Sequence, residues 1–60
     1  MKAGCKMFCE VNNKCRDLDE NCGATCTEML KLPMYQKVVN CGIFTDCTEY
    51  EDCIANGGTT

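Results

Sequence analysis

The hydrophobic positions of this 60-residue chain recur mostly at intervals of three and four, the spacing of one face of a helix. Cys5, Phe8 and Cys9 predict a first helix, which the paired asparagines of VNNKC are expected to weaken. Asp17, with Glu20 three residues later, predicts a capping box at the start of a second helix. The buried face of that helix is predicted to hold Leu18, Cys22, Cys26, Met29 and Leu30.

A third helix is predicted from Pro33, because proline suits the first helical position. Tyr35, Val38 and Val39 would form its buried side, and Gly42 would close it. The β-forming residues of KVV and IF leave a strand as the less favoured alternative.

A fourth helix is predicted to begin after Asp46, which forms a second capping box with Glu49. Its apolar face would hold Cys47, Tyr50, Cys53 and Ile54. Gly57 and Gly58 would end the helix, and residues 56–60 are expected to form a frayed tail.

Two similar segments, NCGATCTE at residues 21–28 and NCGIFTDCTE at residues 40–49, raise the question of a duplicated site. The second segment has two extra residues, so its cysteines cannot share the spacing of the first. We interpret Gly23 as a helix residue that lets a neighbouring element come close, and Gly42 as a helix terminator. The repeat therefore predicts two different structural roles.

Chain length makes cross-links necessary. A domain of this size buries only about 60% of the surface of its unfolded chain, which leaves little net stability. Eight cysteines are available, and four disulfides at roughly 2–4 kcal/mol each would contribute on the order of 10 kcal/mol. We predict a single all-α domain over residues 1–60, a small disulfide-rich bundle of three to four short helices with four disulfides.

Two pairs of cysteines have the same spacing, CKMFC at residues 5–9 and CGATC at residues 22–26. Residues four apart lie on one helix face, and a connection of only twelve residues favours antiparallel helices. We therefore predict disulfides Cys5–Cys26 and Cys9–Cys22, although parallel helices would pair them the other way. The other four cysteines remain unassigned: Cys15, Cys41, Cys47 and Cys53.

The spacing of residues 5–26 resembles that of the plant helical-hairpin peptides, the hairpinins, and that of the small Tim chaperones of the mitochondrial intermembrane space. The first resemblance implies a protease inhibitor, an antimicrobial peptide or a channel-acting peptide, and the second a chaperone. The four further cysteines depart from both families. Compact helical bundles of this disulfide density are also typical of secreted signalling peptides such as ciliate pheromones.

The cysteines could instead bind metal as thiolates, but the chain has neither a C-x2-C pair nor a histidine. Disulfides are the favoured interpretation, and they predict a secreted or periplasmic protein. Residues 1–13 have no apolar core of a signal peptide, so we interpret Met1 as an added or retained initiator. No apolar run is long enough for a membrane span, so we predict no membrane insertion.

The net charge of −3 and the absence of a basic stripe make nucleic acid an improbable partner. Lys14 and Arg16 flank Cys15 in what we expect to be an exposed loop, where they could act as the reactive site of a protease inhibitor. The simpler interpretation is that both side chains are solvated. Tyr35 and Tyr50 could belong to a binding face, although a place in the core is favoured.

Catalysis has little support, because the chain has no histidine, no serine and no nucleophile beside a base. We predict no catalytic residue, no cofactor and no metal site. The predicted function is that of a monomeric, extracytoplasmic, non-enzymatic protein that binds an unknown protein partner or receptor, as a signalling ligand or as a pheromone-like or toxin-like effector. A thiolate metal-binding protein of a reducing compartment and a protease inhibitor acting through Lys14 or Arg16 are the two alternatives.

Overall fold

A computed structural model describes residues 3–59 of the chain. It contains four α-helices, α1 (Cys5–Cys15), α2 (Cys22–Met29), α3 (Pro33–Val39) and α4 (Cys47–Ala55), and a 3₁₀ turn (Asn40–Ile43) that continues α3. The predicted all-α class with four disulfides is confirmed, and the described residues form no strand. The interpretation of Met1 and the end of the predicted tail at Thr60 lie outside the described residues.

Helix α1 is longer than its sequence predicts, because VNNKC is its last turn and a half rather than a weak point. Phe8 and Val11 are buried on its inner face. The side chain of Asn12 accepts a hydrogen bond of 2.7 Å from the Tyr50 hydroxyl. These tertiary contacts override the weak helix propensity of asparagine.

Helix α2 starts at Cys22, later than predicted. The prediction that Asp17 and Glu20 form a capping box is therefore wrong. The residues before α2 form a separate turn instead. Asn13 accepts a bond from the Asp19 backbone N–H at 3.0 Å, and the Asp19 carboxylate accepts one from the Asn21 backbone N–H at 2.9 Å. Local side-chain bonding has competed successfully with the helix.

The face predicted to be buried along α2 is also shorter than expected. Only Cys22 and Cys26 are buried in this helix, whereas Leu18 is 74% exposed and Leu30 is 37% exposed. Two disulfides hold the helix against α1 at those two positions. The contact is therefore made by sulfur atoms and needs no long apolar stripe.

Helix α3 begins with Pro33 at its first position, as predicted. Gly42 does not end it, because the chain tightens into the 3₁₀ turn and Gly42 is buried there with an ordinary negative φ. A Cβ atom on Gly42 would lie 2.6 Å from the Cα and 2.8 Å from the backbone N of Phe8. The glycine is needed for the close approach of α1 rather than for a turn.

Helix α4 begins as predicted, with the Asp46 carboxylate accepting bonds from the backbone N–H groups of Thr48 and Glu49 at 2.7 and 3.4 Å. Gly57 and Gly58 follow the helix with φ values of +85° and +103°, which favour glycine.

The chain then returns to α3, in the part of the predicted frayed tail that the structure describes. The Thr59 backbone N–H donates to the carbonyl of Lys37 at 2.9 Å, and its carbonyl accepts from the Asn40 side chain at 3.0 Å. Thr59 thus binds this described end of the tail to α3 and the 3₁₀ turn.

The core lies where α1 crosses the 3₁₀ turn and α4. It is built from few large side chains and four buried cysteines, in one cluster: Phe8, Val11, Val39, Tyr50, Cys22, Cys26, Cys41 and Cys53. Asn40 is the one buried polar residue within the described chain. Its side chain accepts from the backbone N–H of Ala3 at 3.2 Å and donates to the Thr59 carbonyl, so it joins the two ends of the described chain.

Candidate binding surface

The eight cysteines form four disulfides, with Cα–Cα distances of 5.3 to 5.9 Å that suit the bond. Two of them, Cys5–Cys26 and Cys9–Cys22, are the pairs expected of antiparallel helices. The sequence left the other four cysteines unassigned, and they pair as Cys15–Cys47 and Cys41–Cys53.

All eight sulfur atoms are used in these bonds. Within residues 3–59 no three side chains of the His, Cys, Asp and Glu types are grouped as metal ligands. The thiolate alternative therefore concerns only a chain whose disulfides have been reduced.

The two basic residues around Cys15 are exposed, but only Arg16 lies in the loop that follows α1. Lys14 lies in the last turn of α1, and its ammonium group donates to the carbonyl of Thr45 at 2.7 Å. Arg16 forms a two-bond ion pair with Glu51, in which Nε and Nη2 donate to the two carboxylate oxygens at 2.8 Å each. Both side chains are therefore directed at the C-terminal half of the chain.

The ion pair changes the acidity of both its members. The hydrogen bonds between the two side chains hold the pKa of the Glu51 carboxyl below its ordinary value. The same bonds raise the pKa of the Arg16 guanidinium. Because the pair is about half exposed, water screens it. An inhibitory loop requires a basic side chain free to enter a protease pocket, and Arg16 would have to leave Glu51 to do so.

The two tyrosines predicted as binding candidates lie in different environments. Tyr50 is fully buried, its ring lies 6.1 Å from that of Phe8, and burial raises the pKa of its hydroxyl. Tyr50 is thus a core residue and has no free surface for a partner. Tyr35 is 38% exposed, although the sequence placed it on the buried side of α3.

Tyr35 belongs to a run of exposed apolar side chains at residues 30–35, which we call the apolar segment. Its exposed fractions are 37% for Leu30, 50% for Leu32, 68% for Met34 and 38% for Tyr35. The other large exposed apolar side chains of the described residues, Met7 and Leu18, lie elsewhere in the chain. Large exposed apolar side chains that are this close together in the chain point to an interaction site.

The apolar segment is held in place by its own backbone. Lys31 and Leu32 donate N–H bonds to the carbonyls of Glu28 and Met29 at 3.2 and 3.1 Å, and Tyr35 donates to Leu32 at 3.0 Å. The buried residues of the two helices lie away from this turn. Helix α2 is fixed to α1 by its two buried cysteines, and α3 is fixed to the core by Val39, so neither helix covers the turn. The sequence named Tyr35 as a candidate for a binding face, but it missed Leu30, which fits a helical stripe.

An open groove lies along α4. Its volume is about 340 Å³, and it is lined by Phe44, Glu49, Asp52, Cys53, Asn56 and Thr59. Among its lining residues, Cys53 belongs to the core and Phe44 packs against it, whereas Glu49 and Asp52 are exposed. The groove is at the small end of the roughly 300–1,000 Å³ typical of ligand pockets.

Among residues 3–59, no helix is both long enough and apolar enough to span a bilayer. Comparisons with protein-family models, with curated proteins and with solved structures find no match to this chain.

Proposed function

We propose that this protein acts in an oxidising extracytoplasmic compartment, secreted or periplasmic, by binding a protein partner through the apolar segment. The observation that carries this proposal is the run of four exposed large apolar side chains on a hydrogen-bonded turn. Aromatic residues and methionine are enriched at the centres of protein interfaces, and both are present in the segment. Signalling ligands and pheromone-like or toxin-like effectors act in this way.

The scaffold supports a binding role because it lowers the entropic cost of association. Four disulfides restrict the chain, and a segment that is already ordered loses little freedom when a partner covers it. The inventory of side chains supports a role without catalysis, since the chain offers neither histidine nor serine as base or nucleophile.

A photo-crosslinking experiment tests this function. A benzophenone amino acid is placed at Met34 or, as a matched exposed control, at Leu18, and each protein is irradiated on cells of the organism that produces it. We expect a discrete adduct from position 34 that excess unlabelled native protein prevents and an excess of the Leu32→Asp variant does not. Equal labelling from both positions, or equal competition by the variant, would contradict the proposal.

The oxidising compartment has its own test. The intact mass of the natural protein, purified with free thiols blocked, is compared before and after reduction. We expect a gain of two hydrogens for each of the four disulfides. An unchanged mass together with a metal released by a chelator would support the thiolate alternative instead.

A further inference from the structure

Charge is distributed unevenly between the apolar segment and the end of the chain. Residues 29–39 contain two basic side chains, Lys31 and Lys37, and no acidic one. Residues 40–60 contain four acidic side chains and no basic one: Asp46, Glu49, Glu51 and Asp52. The apolar segment therefore lies in a positively charged stretch of a chain whose net charge is −3.

The groove along α4 has the opposite character. It is lined by the apolar side chains of Phe44 and Cys53 and by the exposed acidic residues Glu49 and Asp52. Glu51 is paired with Arg16 and Asp46 caps α4, whereas Glu49 and Asp52 have no such side-chain bond within the described residues. Two negative charges are thus available at the edge of an apolar surface.

We propose that the apolar segment of one copy of this protein docks in the α4 groove of a second copy. An apolar side chain such as Met34 would contact Phe44, and the ammonium groups of Lys31 and Lys37 would approach Glu49 and Asp52. The contact matches apolar with apolar surface and positive with negative charge. It departs from the monomer expected from the sequence, which placed Leu30 and Tyr35 in the core.

Lys31, on the positively charged surface of this contact, can exchange its present carboxylate for another. Lys31 pairs with Glu28 at 3.2 Å, but their side chains are 68% and 71% exposed, so the pair contributes little stability. Exchange of Glu28 for a carboxylate of a second copy has a small cost. A groove edged by Glu49 and Asp52 offers two such carboxylates.

The small contact area predicts a weak association. A stable interface buries about 800 Å² per partner, which would be a fifth of the 4020 Å² surface of this chain. A segment of six residues covers less, so association depends on concentration in the micromolar to millimolar range. It is expected to weaken between about 0.01 M and 1 M salt, as the Debye length falls from about 30 to about 3 Å.

A charge-swap experiment tests the contact. One variant carries Lys31→Glu and Lys37→Glu, and the other carries Glu49→Lys and Asp52→Lys; all four positions are exposed. In sedimentation equilibrium the native protein should show an average mass that rises with concentration above 6.7 kDa. Each variant alone should remain at the monomer mass because segment and groove now repel. A mixture of the two variants should associate again.

Two control variants each place a single charge change of the same kind elsewhere. Lys6→Glu and Glu20→Lys alter exposed residues outside both surfaces and should leave self-association within about twofold of native, whereas each swap variant should weaken it about tenfold or more. Amide NMR shifts of native protein should change with concentration at residues 30–35 and around Phe44. A concentration-independent monomer, or a mixture that fails to associate although both variants are folded, would overturn the inference.

This inference uses the segment of the proposed function, but the two fail separately. The groove variant Glu49→Lys/Asp52→Lys leaves the apolar segment intact, so it should lose self-association and keep the adduct formed from position 34. If the adduct from position 34 has twice the 6.7 kDa mass of the chain, the crosslinked partner is the second copy itself. Loss of self-association with retention of a foreign adduct is the result expected when both proposals hold.

Discussion

The two Asn-Cys-Gly segments have the same three residues in opposite environments. In the first, Asn21 and Gly23 are exposed and only Cys22 is buried. In the second, Asn40, Cys41 and Gly42 are all buried where the 3₁₀ turn meets α1.

The first segment lies at the start of α2, where that helix is joined to α1 by a disulfide. The second lies in the core, where each of its three residues has a neighbour from a distant part of the sequence. A repeated tripeptide therefore says nothing about a repeated site, because burial decides what each residue does.

The largest expected losses of stability concern the disulfides of the two segments. Cys9–Cys22 and Cys41–Cys53 close loops of nearly equal sequence separation, 13 and 12 residues. Removal of either pair should cost about 3 kcal/mol in chain entropy. Because Cys41 and Cys53 are both buried, Ala replacement there should lower the free energy of unfolding further, by about 1 kcal/mol.

Guanidinium unfolding of the two double variants, with the other three disulfides intact, measures this difference. Equal loss of stability from the two pairs would mean that burial at the second segment adds nothing to the loop entropy.

The glycines should respond in opposite directions to the same substitution. Gly42→Ala would place a methyl group against the Phe8 backbone and should destabilise the fold by about 3 kcal/mol. At Gly23 an added Cβ meets no atom of residues 3–59 within 4 Å apart from its own helix and chain neighbours. Gly23→Ala should therefore stabilise α2, by up to about 1 kcal/mol.

Thermal unfolding monitored by circular dichroism checks both glycine variants under one condition. A Gly23→Ala protein less stable than the native one would restore the interpretation that the first glycine permits a close approach.

The asparagines form a third pair. Asn40→Ala removes the acceptor of the Ala3 N–H and of the Gln36 amide, and the donor to Thr59, and should cost about 2 kcal/mol. Asn21 has no side-chain bond to the first turn of α2, so Asn21→Ala should change stability by less than about 0.5 kcal/mol.

Amide hydrogen exchange gives this prediction a local readout, because the Ala3 N–H should lose its protection in Asn40→Ala and keep it in Asn21→Ala. Continued protection of Ala3 without Asn40 would show that another group binds this amide.

Both segments close on Cys-Thr-Glu, and the residue before each of these tripeptides makes a fourth comparison. Asp46 caps α4, so Asp46→Ala should cost about 1 kcal/mol, while Asp46→Asn should recover most of that loss. Thr25 holds the corresponding place in the middle of α2 and is exposed. Thr25→Ala should be neutral or slightly stabilising in urea unfolding, and a loss equal to that of Asp46→Ala would contradict the distinction.

The smallest effect is expected at the ion pair between Arg16 and Glu51. Arg16 precedes the first segment, and Glu51 lies in α4, after the second. Because Arg16 lowers the pKa of Glu51, the pair stabilises the folded protein above the ordinary carboxyl pKa of 4.5, and this contribution is lost as pH falls through the lowered value. Arg16→Ala should return the pKa of Glu51 upward, and Arg16→Lys should do so in part.

A ¹³C titration of the Glu51 carboxyl measures these shifts. An unchanged titration in Arg16→Ala would show that the two-bond pair is absent in solution.

The features that the sequence predicted well are those set by neighbours in the chain. Pro33 starts a helix because its φ is already helical, and Asp46 caps one because its carboxylate reaches N–H groups two and three residues away. The disulfides Cys5–Cys26 and Cys9–Cys22 agree with the pairing expected from equal spacing on two antiparallel helices. The capping box at Asp17 failed because Asp19 and Asn13 offered the same backbone a competing turn.

The candidate surface was less predictable, because exposure is a property of packing. Leu30 and Tyr35 have the periodicity of core residues. They remain exposed because α2 packs through its two buried half-cystines, Cys22 and Cys26, and not through a longer apolar face. Lys14 and Arg16 were expected on a free loop, and contacts with Thr45 and Glu51, about thirty residues away, bind them instead. No local pattern encodes such long-range partners.

The sequence by itself determined that this chain is helical, that disulfides stabilise it and where Pro33, Asp46 and the two terminal glycines begin or end helices, because those interactions span a few residues. Only the tertiary structure decided which Asn-Cys-Gly is buried, how the last four cysteines pair and which apolar side chains remain in water. Those outcomes depend on contacts such as that of Gly42 with Phe8, which exist only after α1 has crossed the 3₁₀ turn.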